Sequence, residues 1–281
     1  MYSDQYPPRY LHIVGAFAAG GVLSDIHPTL DFKLPVHAVA PVHLPMAGGT
    51  SEAKASKVLV HGKKVKFGKI DRKLLSQLKK KKLLTMAAAY SLAQTGPNVD
   101  GQPYTSRTVS EIKTVRVCED VSLKYGVLNL QSSHDTAKTQ HPEITFGETS
   151  IVGLKLGKYE LKLTIDVTPF NQYPTLEEFE NAFNTNTAFR EAMSPRMVLD
   201  RATGGLHKNP SGYVVGSIVQ KVTGLPPDAT LDGFIIDWPK VGKIVLGEVL
   251  MGPYVRRVTL LRLKKACTEY GSGCSGGSTY P

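Results

Sequence analysis

The stretch Leu231–Lys264 constrains the fold more than any other part of the chain. It holds three apolar runs of strand length, Phe234–Trp238, Lys243–Leu250 and Tyr254–Lys264, rich in Val, Ile, Leu and Tyr. Two short breakers, Pro239-Lys240-Val241-Gly242 and Met251-Gly252-Pro253, separate them. Such runs punctuated by Gly and Pro predict an antiparallel meander, dense enough here to form a sheet core. The last run breaks simple alternation. Val258 and Leu260 fall on one face while Leu261 and Leu263 fall on the other, so either both faces are buried or a bulge sits near Leu260.

Two further segments read as hairpins. In Ser150–Val167, Val152, Leu154 and Leu156 alternate before Gly157-Lys158, and Tyr159, Leu161, Leu163, Ile165 and Val167 alternate after it. Glycine at the first loop position suits a two-residue type II′ turn, which pairs Leu156 with Tyr159, Leu154 with Leu161 and Val152 with Leu163. Ser110–Leu130 repeats the pattern around Cys118-Glu119-Asp120, and a fainter echo begins at Ser217. Leu83–Gln94 carries alanines that favour helix, yet the turn residues that follow it favour a strand entering a hairpin with Tyr104–Val117.

One helix is expected. Thr175 and Glu178 form a capping box, and Leu176, Phe179, Ala182 and Phe183 line one face of Leu176–Met193. Asn184-Thr185-Asn186 interrupts it and Ser194-Pro195 stops it. The phenylalanine stripe reads as a core face. The fold class is therefore all-β, mainly an antiparallel sandwich or irregular barrel, with one amphipathic helix near 175–193. Residues 1–10 form an N-terminal arm, 11–265 a single β-rich domain and 266–281 a Gly/Ser-rich tail.

Within that domain, Leu11–Leu23 reads as a glycine-bearing strand. The segment before it, with one Arg, one Asp and two prolines, makes a poor signal-peptide n-region. Pro28, Pro35, Pro41 and Pro45 confine the next stretch to an edge or a crossing loop. No apolar run reaches the ~18 residues that a membrane helix needs.

Charge is concentrated in one place. Ala53–Lys82 holds twelve basic residues and one acid, Asp71, while the remaining 22 basic and 23 acidic residues nearly cancel. Lys63, Lys64, Lys66, Lys69, Arg72, Lys73, Lys79, Lys80, Lys81 and Lys82 could contact a polyanion, either nucleic acid or acidic glycan. Phe67 is the one aromatic among them, which weakens a base-stacking reading.

Catalytic chemistry finds little purchase. Ser132-Ser133-His134-Asp135 are sequence neighbours that point apart, so they read as a polar loop. His37, His43 and His61 match no zinc spacing, and neither a metal nor a cofactor is expected. Asp232, Asp237 and Trp238 hint at a sugar platform, although Trp238-Pro239 equally reads as a strand end. Glu248 is expected to pair with an arginine of the next strand. Cys267 and Cys274 read as two free thiols, which could close a small loop in an oxidising environment, and Cys118 reads as a buried thiol.

The ending KIVLGEVL…RRVTLLRLK with its Cys-bearing tail, together with the HIVGAFAAGG start, resembles an uncharacterised bacterial protein family. The resemblance implies a bacterial source and carries no functional residues. These observations lead to the expectation of a non-enzymatic structural protein that self-assembles as a homo-oligomer or filament, at a bacterial surface or outside the cell. Tyr2, Tyr6, Tyr10, Arg256, Arg257, Arg262 and Tyr280 are its expected subunit contacts. The alternative is a polyanion-binding module acting through residues 53–82.

Overall fold

The computed structural model describes residues 11–24, 33–44, 48–61, 76, 80, 82–96, 102–135, 137–264 and 278–280. Short strands β1 (Leu11–Ile13), β2 (Gly15–Ala16), β3 (Ala19–Ser24), β4 (Lys33–Val39) and β5 (Val42–His43) come first. Proline spacing keeps them small: among the described residues β2 pairs with β5 alone, and β3 with the Pro35-bearing β4 alone. Four long strands follow, β6 (Thr50–His61), β7 (Lys82–Thr95), β8 (Tyr104–Val117) and β9 (Val121–His134), in a simple antiparallel meander. Leu83–Gln94 is thus strand, and the hairpin Ser110–Leu130 extends to Tyr104 and His134.

The alanine-rich pattern was ambiguous because the long sheet is creased. The ladder skips Lys57, Ala87, Thr114 and Lys124, which are exposed and aligned across the four strands. Lys57 and Thr114 take left-handed backbone angles there, φ 52° and 51°. On one side of this row the inward set is Ala53 and Ala55, Ala89 and Ala93, Ser110 and Ile112, Gly126 and Leu128. On the other side it is Val58, Met86, Val115 and Leu123. Every strand therefore changes parity at the same row. One residue per strand turns over, and period-2 alternation cannot run through.

Beyond β9 the chain lays down a broken fifth strand, β10 (Glu143–Phe146), β11 (Ser150–Val152) and β12 (Lys155–Leu156), each paired with β9. β13 (Tyr159–Glu160) returns on β12 with Leu156 opposite Tyr159, as the turn chemistry predicts, and Leu161 N–H reaches Leu154 O at 2.9 Å. Further out the predicted hairpin does not form. Gly153 adopts φ 66° and breaks the strand, so Val152 pairs with Tyr125. β14 (Lys162–Ile165) departs to pair with β16 (Val219–Thr223), placing Leu163 opposite Val222. The hairpin echoes are not a structural repeat.

The second sheet is the predicted meander. It comprises β15 (Val214–Ser217), β17 (Thr230–Asp232), β18 (Ile235–Trp238), β19 (Gly242–Met251) and β20 (Arg256–Lys264). β19 is its centre, with β20 on one side and β18 and β15 sharing the other. One register holds along β19–β20, but the ladder skips Gly247 and Leu260, and Gly247 takes φ 56° there; Val258, Thr259 and Leu260 are all buried. Burial on both faces and a turnover beside Leu260, without an extra residue in β20, together explain its irregular pattern. β15 and β16 form nearly one strand that changes sheets at Ile218, a corner of the kind that joins packed sheets.

The two sheets face each other as a sandwich and do not close into a barrel. A Cβ added to Gly126 of β9 would lie 3.4 Å from Leu260 of β20. Helices close one end: α1 (Thr168–Gln172), α2 (Leu176–Thr185) and α3 (Thr187–Met193), followed by a 3₁₀ turn at Ser194–Arg196. The capping box at Thr175 and Glu178 forms, and Asn186 caps α3 where the interruption was expected. α1 was not predicted. Leu176, Phe179, Ala182 and Phe183 pack inward. Phe170 of α1 stacks on Phe179 at 5.6 Å. The last strand, β21 (Ser278–Tyr280), pairs with β1.

Candidate assembly edge

The long sheet has two unlike borders. On the β10 side every outward backbone group of Ile144 and Phe146 is engaged. Ile144 N–H donates to Pro174 O at 3.1 Å, and Phe146 N–H donates to Asn171 Oδ1 at 2.7 Å. Asn171 Nδ2 donates back to Phe146 O at 3.0 Å, so one side-chain amide stands in for a neighbouring strand. Ile144 O accepts from Arg256 Nη1.

Arg256 is the centre of this closure. Nη1 also donates to Phe170 O and Nη2 to Pro174 O, each at 3.1 Å. Phe170 O is an orphan carbonyl of α1, because the residue four positions on is Pro174, which has no N–H to give. The guanidinium lies 5.8 Å and 5.9 Å from the Phe146 and Phe170 ring centres. Burial pushes it down to about 9, so it stays protonated at neutral pH. At 2% exposure it is spent inside its own chain and offers no subunit contact.

Two more arginines pair with carboxylates of their own chain. Arg196 donates to Asp166 at 2.9 Å and to Ser217 O at 3.1 Å, which ties β14 to the strand switch. Burial opposes ionisation of Asp166, but the Thr168 backbone N–H and hydroxyl and the Arg196 charge outweigh it and hold the carboxyl below its usual range. Its stabilising contribution is therefore complete above the unfolded carboxyl value, about 3.9, and is lost as pH falls through the lower folded value. Asp166→Asn is expected to cost about 2 kcal/mol at pH 7. The gap between the two proteins' urea midpoints should close below pH 4, and a gap independent of pH would contradict the assignment. Arg262 donates to Glu248, the cross-strand ion pair expected from sequence, and burial lowers its pKa. Arg257 is exposed.

The β6 border is different. β6 is the outermost strand of the sheet, and no hydrogen bond beyond its ladder with β7 reaches its backbone among the described residues. From Thr50 to Ser56 its solvent face carries Glu52, Lys54 and Ser56, while Ala53 and Ala55 turn inward. Lys54 Nζ lies 2.5 Å from Glu52 and 5.5 Å from the Tyr90 ring centre. The hydrogen bond and charge of Glu52 raise the Lys54 pKa. Beside it opens a shallow groove of about 530 Å³ with Tyr90, Glu111 and Lys113 on its walls. Lys113 pairs with Glu111 at 2.8 Å, so cations and anions alternate across this face.

At the far end of the same sheet lies a polar groove of about 450 Å³, where Gln94, Arg107, Gln131 and Thr145 form one cross-strand row. Asn129 holds Arg107 Nε at 3.3 Å. Its chemistry is mixed hydrogen bonding, with Glu143 offsetting Arg107.

The other residues singled out in the sequence do not converge on a reaction centre. Ser132, Ser133 and His134 are strand rather than loop, and His134 Nε2 lies 3.1 Å from Thr139 O. Neither groove is lined by His134 or Glu248. Trp238 is no sugar platform: it is 1% exposed and donates to Asp228 at 3.0 Å. Cys118 is half-buried, not buried. Among the described residues no three His, Cys, Asp or Glu side chains gather as a metal site, and no helix is long and apolar enough to cross a membrane.

Of the basic segment, Lys82 opens β7 with its side chain exposed, and Lys80 is helical and exposed. Lys63, Lys64, Lys66, Lys69, Arg72, Lys73, Lys79 and Lys81 lie outside the described residues, as do Tyr2, Tyr6, Tyr10, Cys267 and Cys274. Tyr280 pairs through its backbone with Leu11 of its own chain. β6 did not stand out as an open edge in the sequence because its short alternation of small and charged residues carries no apolar signal.

No curated protein and no solved structure matches the chain. A family model described as Domain of unknown function (DUF8256) matches residues 10–252, and the chain belongs to that family.

Proposed function

We propose that the chain is a non-enzymatic structural protein that assembles with copies of itself through the open border of its long sheet. The contrast between the two borders supports this reading. At β10 the fold spends an asparagine, a proline carbonyl and a buried arginine on satisfying strand backbone. At β6 it leaves strand backbone open among the described residues, a template for another strand. Flanking faces of alternating charge suit contact between like subunits, which must carry both signs to attract one another.

Multi-angle light scattering of the purified full chain across a concentration series tests the reading. A mass that climbs above one chain is expected. A single-chain mass at every concentration sinks it.

A further inference from the structure

We infer that two copies pair antiparallel along β6, about a two-fold axis through Ala53, with Glu52 of each copy opposite Lys54 of the other. This rests on the self-assembly reading above and adds its register. In an antiparallel pair, residues directly opposite share a face and interact most strongly. The available segment reads Thr50-Ser51-Glu52-Ala53-Lys54-Ala55-Ser56. An axis at Glu52 sets two glutamates together, and an axis at Lys54 sets two lysines together. An axis at Ala53 sets Glu52 against Lys54 twice, and sets Thr50 against Ser56 and Ser51 against Ala55.

Geometry selects the same axis independently. The flat part of the edge runs from Thr50, where β6 begins, to Ser56, since Lys57 turns over at φ 52°. Its midpoint is Ala53. Lysine on an edge strand ordinarily deters pairing. Here the acid two residues away turns that deterrent into a selector. Axes at Glu52 and Lys54 oppose like charges, axes at Ser51 and Ala55 leave the charges without a charged partner opposite, and the axis at Ala53 forms an alternating square of four charges. Ser51, Ala53 and Ala55 on the opposite face are small, and Ala53 packs on a cluster of its own chain that includes Val42 and Leu44. The partner this border fits is a second copy of the same chain.

Seven residues a side make a small contact, below the roughly 1,200–2,000 Å² of a stable complex. Association should therefore be read at concentrations up to about 1 mM. The test is a set of charge variants of the full chain followed by sedimentation velocity, with thermal unfolding confirming that each is folded. Glu52→Lys alone and Lys54→Glu alone each place like charges at both pairs. Each should weaken the dimer by about tenfold or more. Mixing the two single variants restores opposite charges at both pairs, so the mixture should dimerise. The double variant E52K/K54E should dimerise with itself for the same reason.

Recovery in the mixture and in the double variant supports the register. Wild-type association that survives both single variants overturns the register and leaves self-assembly through another surface standing. Loss in the single variants without recovery in the mixture also overturns the register. A wild-type chain that stays monomeric overturns the register together with the reading it rests on.

Discussion

Arg256→Ala should destabilise the chain by about 3–5 kcal/mol, because it removes the donor of three buried carbonyls and opens a cavity beside two aromatic rings. The acceptors, Ile144 O, Phe170 O and Pro174 O, come from β10 and from the two ends of the turn that leaves α1. Pro174 O keeps the Ile144 N–H, but among the described residues Ile144 O and Phe170 O have no second donor. Pro174 has no N–H, and the outward groups of Phe146 are already bonded to Asn171. Arg256→Lys keeps the charge but supplies donors from a single nitrogen, which cannot span acceptors that the guanidinium fork reaches with two. It should recover less than half of the loss.

Arg256→Met is the sharper variant. Replacing a buried charge by an apolar side chain of similar length is often neutral or stabilising when both members of an ion pair go. Here the carbonyls stay, so methionine should still fall below wild type in urea denaturation. Methionine at or above wild-type stability would show that the three carbonyls do not need the arginine.

That arginine also marks where sequence reasoning stopped. Arg256 follows a Gly-Pro breaker at the start of an apolar run, and nothing local distinguishes it from exposed Arg257. Its role depends on carbonyls 82 to 112 residues away. The meander was legible because its breakers are local and its strands are sequential neighbours. The helix was legible through its cap and its phenylalanine spacing. Where a strand changes partner, at Gly153 and Ile218, the decision belongs to distant strands, and the hairpin register of Ser150–Val167 held only at its tip. The crease was illegible for another reason. Left-handed backbone is usually signalled by Gly or Asn, whereas here Lys57 and Thr114 adopt it in step across the sheet. The candidate border fell in the segment that attracted attention for its lysines. What matters on it is the order Glu52-Ala53-Lys54, which a net-charge count averages away.

The strand switch at Ile218 yields the second large effect. Gly247→Ala should cost about 3–4 kcal/mol, the sum of a left-handed conformation for an L side chain and overpacking of a filled core. Gly247 has φ 56°, and a Cβ there would lie 2.6 Å from Ile218 Cγ1 and 2.9 Å from Val219 Cγ2. Those side chains cannot retreat. Ile218 is 0% exposed, and its N–H donates to Gly247 O at 2.9 Å, which holds the two backbones at this separation. Ser217 Oγ fixes the same corner, donating to Leu246 O at 2.7 Å and accepting from Val219 N–H at 2.9 Å. Gly204 separates the two contributions. Its φ is 67°, but a Cβ there meets nothing within 4 Å, so Gly204→Ala carries the conformational cost alone, about 1–2 kcal/mol. Urea midpoints of the two variants measure the difference. Equal losses would mean that the corner where β15 passes into β16 has room to spare, and that β19 is not what turns the strand from one sheet to the other.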